Sequence, residues 1–391
     1  MRSFSSWVIW GIALSATIIA IGAFLKREEI SRLLAVNSLF SEEKIVANFS
    51  NMDAAFLTAP LARAVDDPAP LANGAAATLP PQTAQWITNR SVTSLVVLKD
   101  GAIVAEDYFL GTSPTDLRIN WSVSKSYLSA LLGILVDEGA ITDLDAPVTD
   151  YVPNLAGSAY DQASIRNVLQ MSSGVTFNED YLDQSSDINR MGRVLALGRS
   201  MDGFTTDLTD TFAEPGAQWQ YVSIDTHVIG MVIRGATGRS IADLMIEKVI
   251  GPMGFEADPY YLTDGYGVAF VLGGLNTTTP DNARFGQMFA QNGMWEGQQV
   301  VPADWVTQST APSANTTPGE IGYGYQWWIP ETLEGEFSAI GVYNQFIYVN
   351  PTRDLVVVKL SAFSDYAVTQ DESSYREIET IEFFREVANF L

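Results

Sequence analysis

A serine and a lysine three residues apart, Ser122 and Lys125, stand at the start of an apolar segment with helical spacing. Residues three apart share one face of a helix, so the lysine amine can sit beside the serine hydroxyl. A lysine in a buried helix needs partners, and burial lowers its pKa toward the range of a general base. The pair therefore predicts a serine nucleophile with an amine base. The alternative role of Ser122 is an N-cap, which serine fills well at a helix start.

No other serine signature in the sequence offers a comparable nucleophile. A second Ser-x-x-Lys pair, Ser41 and Lys44, lies in a charged stretch that favours a capped or solvated turn. The G-x-S-x-G turn that carries the nucleophile of α/β-hydrolases is absent from this sequence. The chemistry is therefore expected at Ser122, outside the α/β-hydrolase type.

A serine nucleophile needs a second group that moves protons, together with an oxyanion hole. Tyr-x-Ser or Tyr-x-Asn triplets begin at Tyr127, Tyr221 and Tyr348. Tyr127 falls within the Ser122 helix, and Tyr348 falls within a predicted strand. Tyr221 follows a Pro-Gly turn and precedes a helical stretch, so it lies in a loop, where functional groups concentrate. Tyr221 is therefore the candidate.

The composition excludes several kinds of site. The chain has 391 residues, with 22 lysines and arginines against 46 aspartates and glutamates, and its net charge is −24. Such a charge repels a phosphate backbone, so a nucleic-acid partner is excluded. With no cysteine and a single histidine, His227, the chain cannot build a disulfide, a thiolate site or a Cys/His zinc site. We expect a structural role for His227 and neither a metal nor an organic cofactor.

Short strands and helices must position these groups. Residues 95–98 and 102–105 predict two strands around an Asp-Gly turn, and residues 345–349 and 354–360 predict a second hairpin. The helix that begins at Ser122 closes on Gly139, and residues 373–391 predict a C-terminal helix. The middle of the chain is mostly helical. If the two hairpins share one antiparallel sheet, this middle part is an insertion.

These elements predict an α+β fold, and the length corresponds to two or three units of about 150 residues each. We expect a membrane anchor or signal segment at residues 1–27, a lead-in at 28–81, an α/β part at 82–150 and 256–391, and a helical part at 151–255.

The N-terminal segment has the length and composition of a membrane helix. Residues 7–25 carry no charge, and as a helix this run is about 28 Å long, close to the thickness of a bilayer core. An uncleaved anchor is favoured over a cleaved secretion signal, whose apolar region is shorter, and over a buried core helix. Basic residues flank both ends, so charge does not decide the orientation.

Five short motifs follow one another along the chain. They are Ser122-Val-Ser-Lys125-Ser126, Met171-Ser-Ser-Gly174, Pro215-Gly216 before Tyr221-Val-Ser223, Gly273-Gly-Leu-Asn276 and Tyr323-Gly-Tyr-Gln-Trp-Trp328. The ordered set resembles the beta-lactamase-related serine hydrolases of the class C-like type, within the branch of 6-aminohexanoate-dimer hydrolase and related esterases. The resemblance runs from about residue 82 to the C-terminus. It implies an antiparallel sheet flanked by helices, a mostly helical insert and no cofactor.

The resemblance also implies a role for each candidate residue. Ser122 is the acylating nucleophile, Lys125 takes its proton, and Tyr221 serves as general base and as acid toward the leaving group. The oxyanion hole would be formed by the backbone N–H groups of Ser122 and Gln345, worth about 3–4 kcal/mol per donor in acyl transfer. The expected substrate is a small-molecule amide or ester. The expected substrate contacts are Ser223, Tyr181, Tyr343, Asn344 and Trp327.

Departures from the family pattern bear on the substrate. The third family motif, a triplet with lysine or histidine that ends in glycine, would fall at residues 342–344. This sequence has neither cation there, and Asn344 stands in place of the glycine. Ser223 stands where penicillin-recognising members more often carry asparagine. Beta-lactam turnover is therefore not expected as the main activity.

Two alternatives stay open at this point. One is a D-alanyl-D-alanine peptidase, which the missing cation disfavours. The other is a catalytically silent binding protein, because the Asn344 side chain could block the cleft. Glu179 and Asp180 are expected to be solvated loop residues at the rim of the cleft. The resemblance also suggests a catalytic domain on the periplasmic or outer side of a bacterial membrane, which a probe of domain sidedness would test.

Overall fold

Helices and strands alternate along the chain in the computed structural model, which describes residues 10, 15, 26–63, 68–317, 321–331, 334–366, 368–369 and 375–391. The strands are β1 (Leu57–Pro60), β2 (Val92–Lys99), β3 (Ala102–Tyr108), β4 (Arg118–Ile119), β5 (Tyr260–Thr263), β6 (Leu275–Thr277), β7 (Met294–Trp295), β8 (Gln298–Gln299), β9 (Gly322–Tyr323), β10 (Trp328–Ile329), β11 (Phe337–Gly341), β12 (Gln345–Asn350) and β13 (Leu355–Ser361). The helices are α1 (Arg27–Asn37), α2 (Ile45–Asn48), α3 (Thr83–Asn89), α4 (Val123–Asp137), α5 (Ile165–Leu169), α6 (Asp187–Ala196), α7 (Met201–Thr206), α8 (Ser223–Thr237), α9 (Ile241–Met245), α10 (Gly251–Met253), α11 (Thr279–Ala290), α12 (Ala303–Ser309) and α13 (Glu377–Phe390).

The expected membrane helix at residues 7–25 lies outside the described residues, apart from Trp10 and Ser15. Within the described part, no helix combines the length and the apolar character that crossing a bilayer requires. The membrane anchor and the extracytoplasmic location therefore stay predictions.

A seven-stranded antiparallel sheet joins the two hairpins that the sequence predicts. Its strand order is β3-β2-β13-β12-β11-β10-β9. Strand β2 pairs with β13, with Lys99 opposite Leu355, although the two strands lie near opposite ends of the chain. The turn between β2 and β3 places Asp100 and Gly101 at φ angles of 53° and 76°, as a type I′ hairpin turn requires. The helical middle of the chain is therefore inserted between the two halves of one sheet.

Both faces of this sheet are covered. Along β2, Leu95 and Val97 pack in one apolar cluster with Trp86 of α3. Val96 and Leu98, on the opposite face, belong to the main core. Successive side chains of a strand point to opposite faces, so a strand buried on both sides has a continuous apolar sequence.

The lead-in segment, residues 28–81, contributes to the main core. Ile45, Phe49 and Met52 are buried in the same core as the central helices. Strand β1 pairs antiparallel with β5 in a second sheet of order β1-β5-β6-β4. Apolar residues spaced by four and three positions form the buried side of this segment. This apolar pattern is short, and the Ala- and Pro-rich sequence that follows it makes it hard to recognise from the sequence alone.

Helix α4 forms the centre of the molecule. All but its last two residues are buried, and an apolar helix of this kind belongs in a core. Gly133 leaves room for the ring of Trp305 in α12, because an added Cβ would lie 2.2 Å from that ring. The helix packs against α8 on one side and β11 on the other. Its N-terminal end therefore reaches the junction between the sheet and the helical part.

Candidate active site

Ser122 lies in a tight connection between β4 and α4. Trp121, which precedes it, has a left-handed φ of 47°, a conformation that a bulky residue rarely adopts. Asn120 is fully buried and donates from Nδ2 to Thr277 Oγ1 at 2.9 Å, which fixes the start of the turn. The Ser122 hydroxyl caps no backbone N–H of the helix. The N-cap alternative is therefore not observed, and the hydroxyl is available for other contacts.

Lys125 lies one turn into α4 and is 2% exposed. Its Nζ donates to Ser122 Oγ at 2.9 Å, to Ser223 Oγ at 3.3 Å and to the Leu272 carbonyl oxygen at 2.7 Å. Burial lowers the pKa of Lys125 to about 7, and the negative charge of Glu179 opposes this shift. A neutral amine is therefore accessible near neutral pH, and its lone pair can accept the Ser122 proton.

Tyr221 comes from the loop before α8. Its hydroxyl interacts with the side chains of Ser122 and Ser223. Its ring stacks on Trp328 at 5.3 Å between centroids, and Lys125 Nζ lies 5.2 Å from the ring centre. Burial raises the pKa of Tyr221, so the phenol keeps its proton at neutral pH. In this state Tyr221 is a proton donor beside the nucleophile.

Glu179 belongs to the same group of side chains, although its sequence suggested a solvated loop. Its Oε1 accepts from the backbone N–H of Ser223 at 2.5 Å, and its Oε2 accepts from the hydroxyls of Ser223 at 3.2 Å and Tyr181 at 3.4 Å. Ser223 is the first residue of α8, where a helix attracts negative charge. Burial raises the pKa of Glu179, while the nearby Lys125 opposes that shift.

The end of β11 lies directly against the nucleophile. A Cβ added at Gly341 would be 2.6 Å from the Asn120 carbonyl oxygen and 3.2 Å from the Ser122 nitrogen. Val342, which follows, lines the space on both sides of Ser122. Among the described residues, the N–H groups of Ser122 and Val342 donate to no backbone carbonyl. Neither N–H group is therefore used by the backbone, and both residues border the space at the nucleophile.

The structure does not bring Gln345, the expected second oxyanion donor, to the cavities at the nucleophile. Gln345 pairs with Gly341 across the hairpin, and its amide Nε2 donates to the carbonyls of Val342, Tyr343 and Ser361. It lines neither of the two cavities at Ser122. The small residue that the third motif requires beside Ser122 is Gly341, whereas the sequence predicted it at position 344. The reason is that β11 contacts Ser122 at its last residue, before the turn at residues 342–344 begins.

Gly341→Ala is expected to lower kcat/KM about a hundredfold. The added methyl group pushes β11 away from Ser122, and a displacement of about 1 Å at a reacting group lowers the rate by about this factor. Steady-state hydrolysis of an activated ester measures it. Gly203→Ala in α7 is the matched control, because its added Cβ would meet only Ser200, at 3.4 Å. Activity of Gly341→Ala within twofold of Gly203→Ala would contradict the tight contact.

Asn344, a further expected substrate contact, does not reach the cleft. The side chain is fully buried, accepts from Lys359 Nζ at 3.0 Å and donates to the Tyr375 carbonyl at 2.7 Å. Tyr343 and Asn344 have left-handed φ angles of 61° and 67°, and this turn directs the Asn344 side chain into the protein. Asparagine tolerates that conformation better than most residues. The Asn344 side chain therefore does not block the nucleophile.

Ser122 borders two cavities. The first, of about 390 Å³, contains Glu179, Tyr181, Tyr221 and Trp328 in its wall. Trp327 was expected here, but it is fully buried among phenylalanine rings of the core. Neighbouring side chains of a strand point to opposite sides, so Trp328 faces the cavity and Trp327 cannot.

The second cavity, of about 380 Å³, lies on the other side of the nucleophile. Three of the expected substrate contacts, Ser223, Tyr181 and Tyr343, line it. Tyr181 borders both cavities. The structure therefore brings these three residues to Ser122, and it places Trp327 and Asn344 elsewhere.

His227 lies away from both cavities. It is 1% exposed, and its Nε2 is 2.8 Å from Asp202 Oδ1, which Arg234 also contacts. Over the part of the chain that the structure describes, no group of three histidine, aspartate or glutamate side chains is arranged to hold a metal ion.

Comparison with known proteins connects this geometry to a family. The beta-lactamase family profile matches residues 83–379, which is most of the chain. The chain belongs to the beta-lactamase family. This family member is 32% identical over 305 residues to the 6-aminohexanoate-dimer hydrolase of Paenarthrobacter ureafaciens, covering 74% of this chain and 78% of that one. The branch predicted from the motifs is thereby confirmed, and the protein is a hydrolase of this family.

Solved structures show the same fold. A Bacillus anthracis protein described as a candidate 6-aminohexanoate-dimer hydrolase superposes with a TM-score of 0.77 at 22% identity, over 90% of this chain and 95% of that one. A family VIII carboxylesterase superposes with a TM-score of 0.61 at 17% identity, over 82% of this chain and 99% of the other. The α+β fold of antiparallel sheets and helices predicted for this beta-lactamase family member is confirmed.

Proposed function

We propose that this beta-lactamase family member cleaves an amide or ester bond through an acyl-enzyme on Ser122. The observation that carries the proposal is the contact of 2.9 Å between Ser122 Oγ and the Nζ of a lysine that burial keeps near its neutral form. The hydroxyl of Tyr221 also interacts with the Ser122 side chain and completes the group. The names of the relatives, which include a 6-aminohexanoate-dimer hydrolase, a D-stereospecific amidohydrolase and a carboxylesterase, support both bond types.

In the first step, neutral Lys125 accepts the Ser122 proton as Oγ attacks the substrate carbonyl. The carbonyl oxygen becomes negatively charged and accepts from the N–H groups of Ser122 and Val342. One such donor is typically worth about 3–4 kcal/mol in the transition state of acyl transfer. The Ser122 N–H is part of a strained and anchored turn, so its direction is fixed before substrate binds.

In the second step, the Tyr221 phenol donates its proton to the leaving nitrogen or oxygen as the bond to the carbonyl carbon breaks. The proton that Lys125 received then restores the phenol. Ser122 is left as an ester of the acyl group. Water attacks this ester after giving a proton to the same pair, and the hydroxyl of Ser122 is the final leaving group. The proton lost by Ser122 thus ends on the leaving group, and a proton from water replaces it in deacylation, so the cycle closes with water as the only added reactant.

The first cavity disfavours a D-alanyl-D-alanine peptidase. Three carboxylates, Glu179, Asp180 and Glu377, are part of its wall, and no lysine or arginine is among the described residues that line it. A peptide that ends in a carboxylate is repelled by such a wall. The buried position of Asn344 likewise removes the observation that favoured a silent binding protein.

A panel of activated esters, short amides and a fluorescent penicillin separates these functions. We expect turnover of esters or amides and no stable penicillin adduct. A long-lived penicillin adduct on Ser122 would instead support the peptidase. Absence of both turnover and labelling by a fluorophosphonate would leave the silent protein as the remaining interpretation.

The activity is expected to fall as the pH drops below about 7. Lys125 must be neutral to accept the Ser122 proton, and its lowered pKa of about 7 means that it is charged below that pH. The kcat/KM for an uncharged ester should therefore decrease about tenfold for each pH unit on the acid side and level off above neutrality. Lys125→Arg, which stays charged, should be inactive throughout. A flat profile between about pH 5.5 and 8 would exclude Lys125 as the base.

A further inference from the structure

The second cavity differs in chemistry from the first. Its wall is mostly apolar and includes side chains such as Phe40, Phe56, Met191, Leu195, Phe270 and Leu272. Among the described residues of this wall, Arg193 alone is charged, and it is exposed to solvent. An apolar cavity beside a reactive serine suits a hydrocarbon group of the substrate.

Part of this wall comes from residues that precede the region matched by the family profile. Val36 at the end of α1 and Phe40 both line the cavity. The Phe40 ring stacks on Tyr343 at 4.9 Å between centroids and lies 5.8 Å from the Trp121 ring. The family profile begins at residue 83. The lead-in segment, which lies before the residues that the family profile matches, therefore forms part of the cavity wall.

The position of Tyr221 decides which half of the substrate each cavity receives. Tyr221 lines the first cavity and is absent from the wall of the second. A leaving group must lie next to the acid that protonates it. The leaving group therefore occupies the first cavity, and the acyl group extends into the second.

We propose that the second cavity is an acyl-binding pocket that selects substrates with an apolar acyl chain of several carbons. This inference rests on the proposed acyl-enzyme at Ser122 and adds the class of acyl group. Burial of each further methylene is expected to raise kcat/KM about fourfold until the cavity is full. Acetyl substrates should therefore be poor ones.

Gly192 in α6 offers a way to fill the pocket. It lines the cavity, and an added Cβ would meet no atom within 4 Å, so a larger side chain can be placed there without a clash at its base. Arg190 lies on the same helix, is exposed and does not line the cavity. At 100° per residue the two positions point to different sides of α6. Arg190→Phe is therefore the matched control for Gly192→Phe.

The experiment measures kcat/KM for p-nitrophenyl esters from acetyl to decanoyl. Six further methylenes at about fourfold each would give a ratio of about four thousand, so in the unmodified chain the octanoyl-to-acetyl ratio should exceed about a hundred even if only four of them are buried. Gly192→Phe should reduce this ratio at least tenfold relative to Gly192→Ala, and Arg190→Phe should leave it unchanged. Phe40→Ala, which opens the wall, should also reduce it. Thermal unfolding of each variant shows that it is folded.

Two results would overturn the proposal. One is a flat acyl series in the unmodified chain, and the other is an equal reduction of all esters by Gly192→Phe. In both cases Ser122-dependent turnover of the acetyl ester would leave the proposed function standing. Failure of every ester together with failure of fluorophosphonate labelling would instead reject the proposed function itself.

Discussion

Ser122→Ala is expected to abolish covalent labelling by a fluorophosphonate and to lower ester hydrolysis about ten-thousandfold or more. The substitution removes the atom that forms the acyl-enzyme, and neither Lys125 nor Tyr221 can replace it. Intact-mass measurement of the labelled protein detects the adduct, and p-nitrophenyl acetate hydrolysis gives the rate.

Ser126→Ala is the matched control for this variant. Ser126 lies one residue after Lys125 in α4, lines neither cavity, and donates to the Gln326 carbonyl at 2.7 Å. It should keep its labelling, with a loss of about 1–3 kcal/mol in the free energy of unfolding from the unpaired carbonyl. Equal labelling of Ser122→Ala and the unmodified chain would place the nucleophile elsewhere.

Tyr221→Phe is expected to lower amide hydrolysis about a hundredfold to ten-thousandfold, the usual contribution of a positioned general acid. The loss with p-nitrophenyl esters should be much smaller, because p-nitrophenolate leaves without being protonated. The ring remains able to stack on Trp328, so the variant should fold normally. Parallel kinetics with an amide and an activated ester of the same acyl group measure the difference.

Tyr323→Phe serves as the control for Tyr221→Phe. Its ring lies 6.3 Å from the Tyr221 ring, it is also buried, and it lines neither cavity. Both substrates should be hydrolysed by Tyr323→Phe at the rate of the unmodified chain. An equal loss with amide and ester in Tyr221→Phe would contradict its role as the acid for the leaving group.

The central part of the site could be predicted from the sequence because local geometry determines it. The spacing of Ser122 and Lys125 is a property of one helix turn, and the apolar residues around them indicate burial. Tyr221 could be found from its loop and the following helix. The two distant hairpins also followed from their strand patterns, since each was long enough to be recognised, whereas their pairing in one sheet was left open.

Glu179 and Val342 could not be found in the same way. Glu179 contacts the first turn of α8, and its position there depends on how the intervening loop folds back. The role proposed for Val342 uses only its backbone N–H, which no residue type signals. For Trp327 and Trp328, the sequence shows two adjacent aromatic residues but not which of them faces the cavity, because a shift of one residue exchanges the faces of a strand.

The pairing of β2 with β13 also governs how the chain reaches its native state. During synthesis β2 and β3 emerge early, but the strand that covers the edge of β2 emerges only near the end of the chain. Until then, an apolar strand edge is unpaired and able to associate with other chains. Closing so long a segment of chain is entropically costly and slows folding. Strand β13, which covers the edge of β2, therefore also determines how long the nascent protein depends on protection from aggregation.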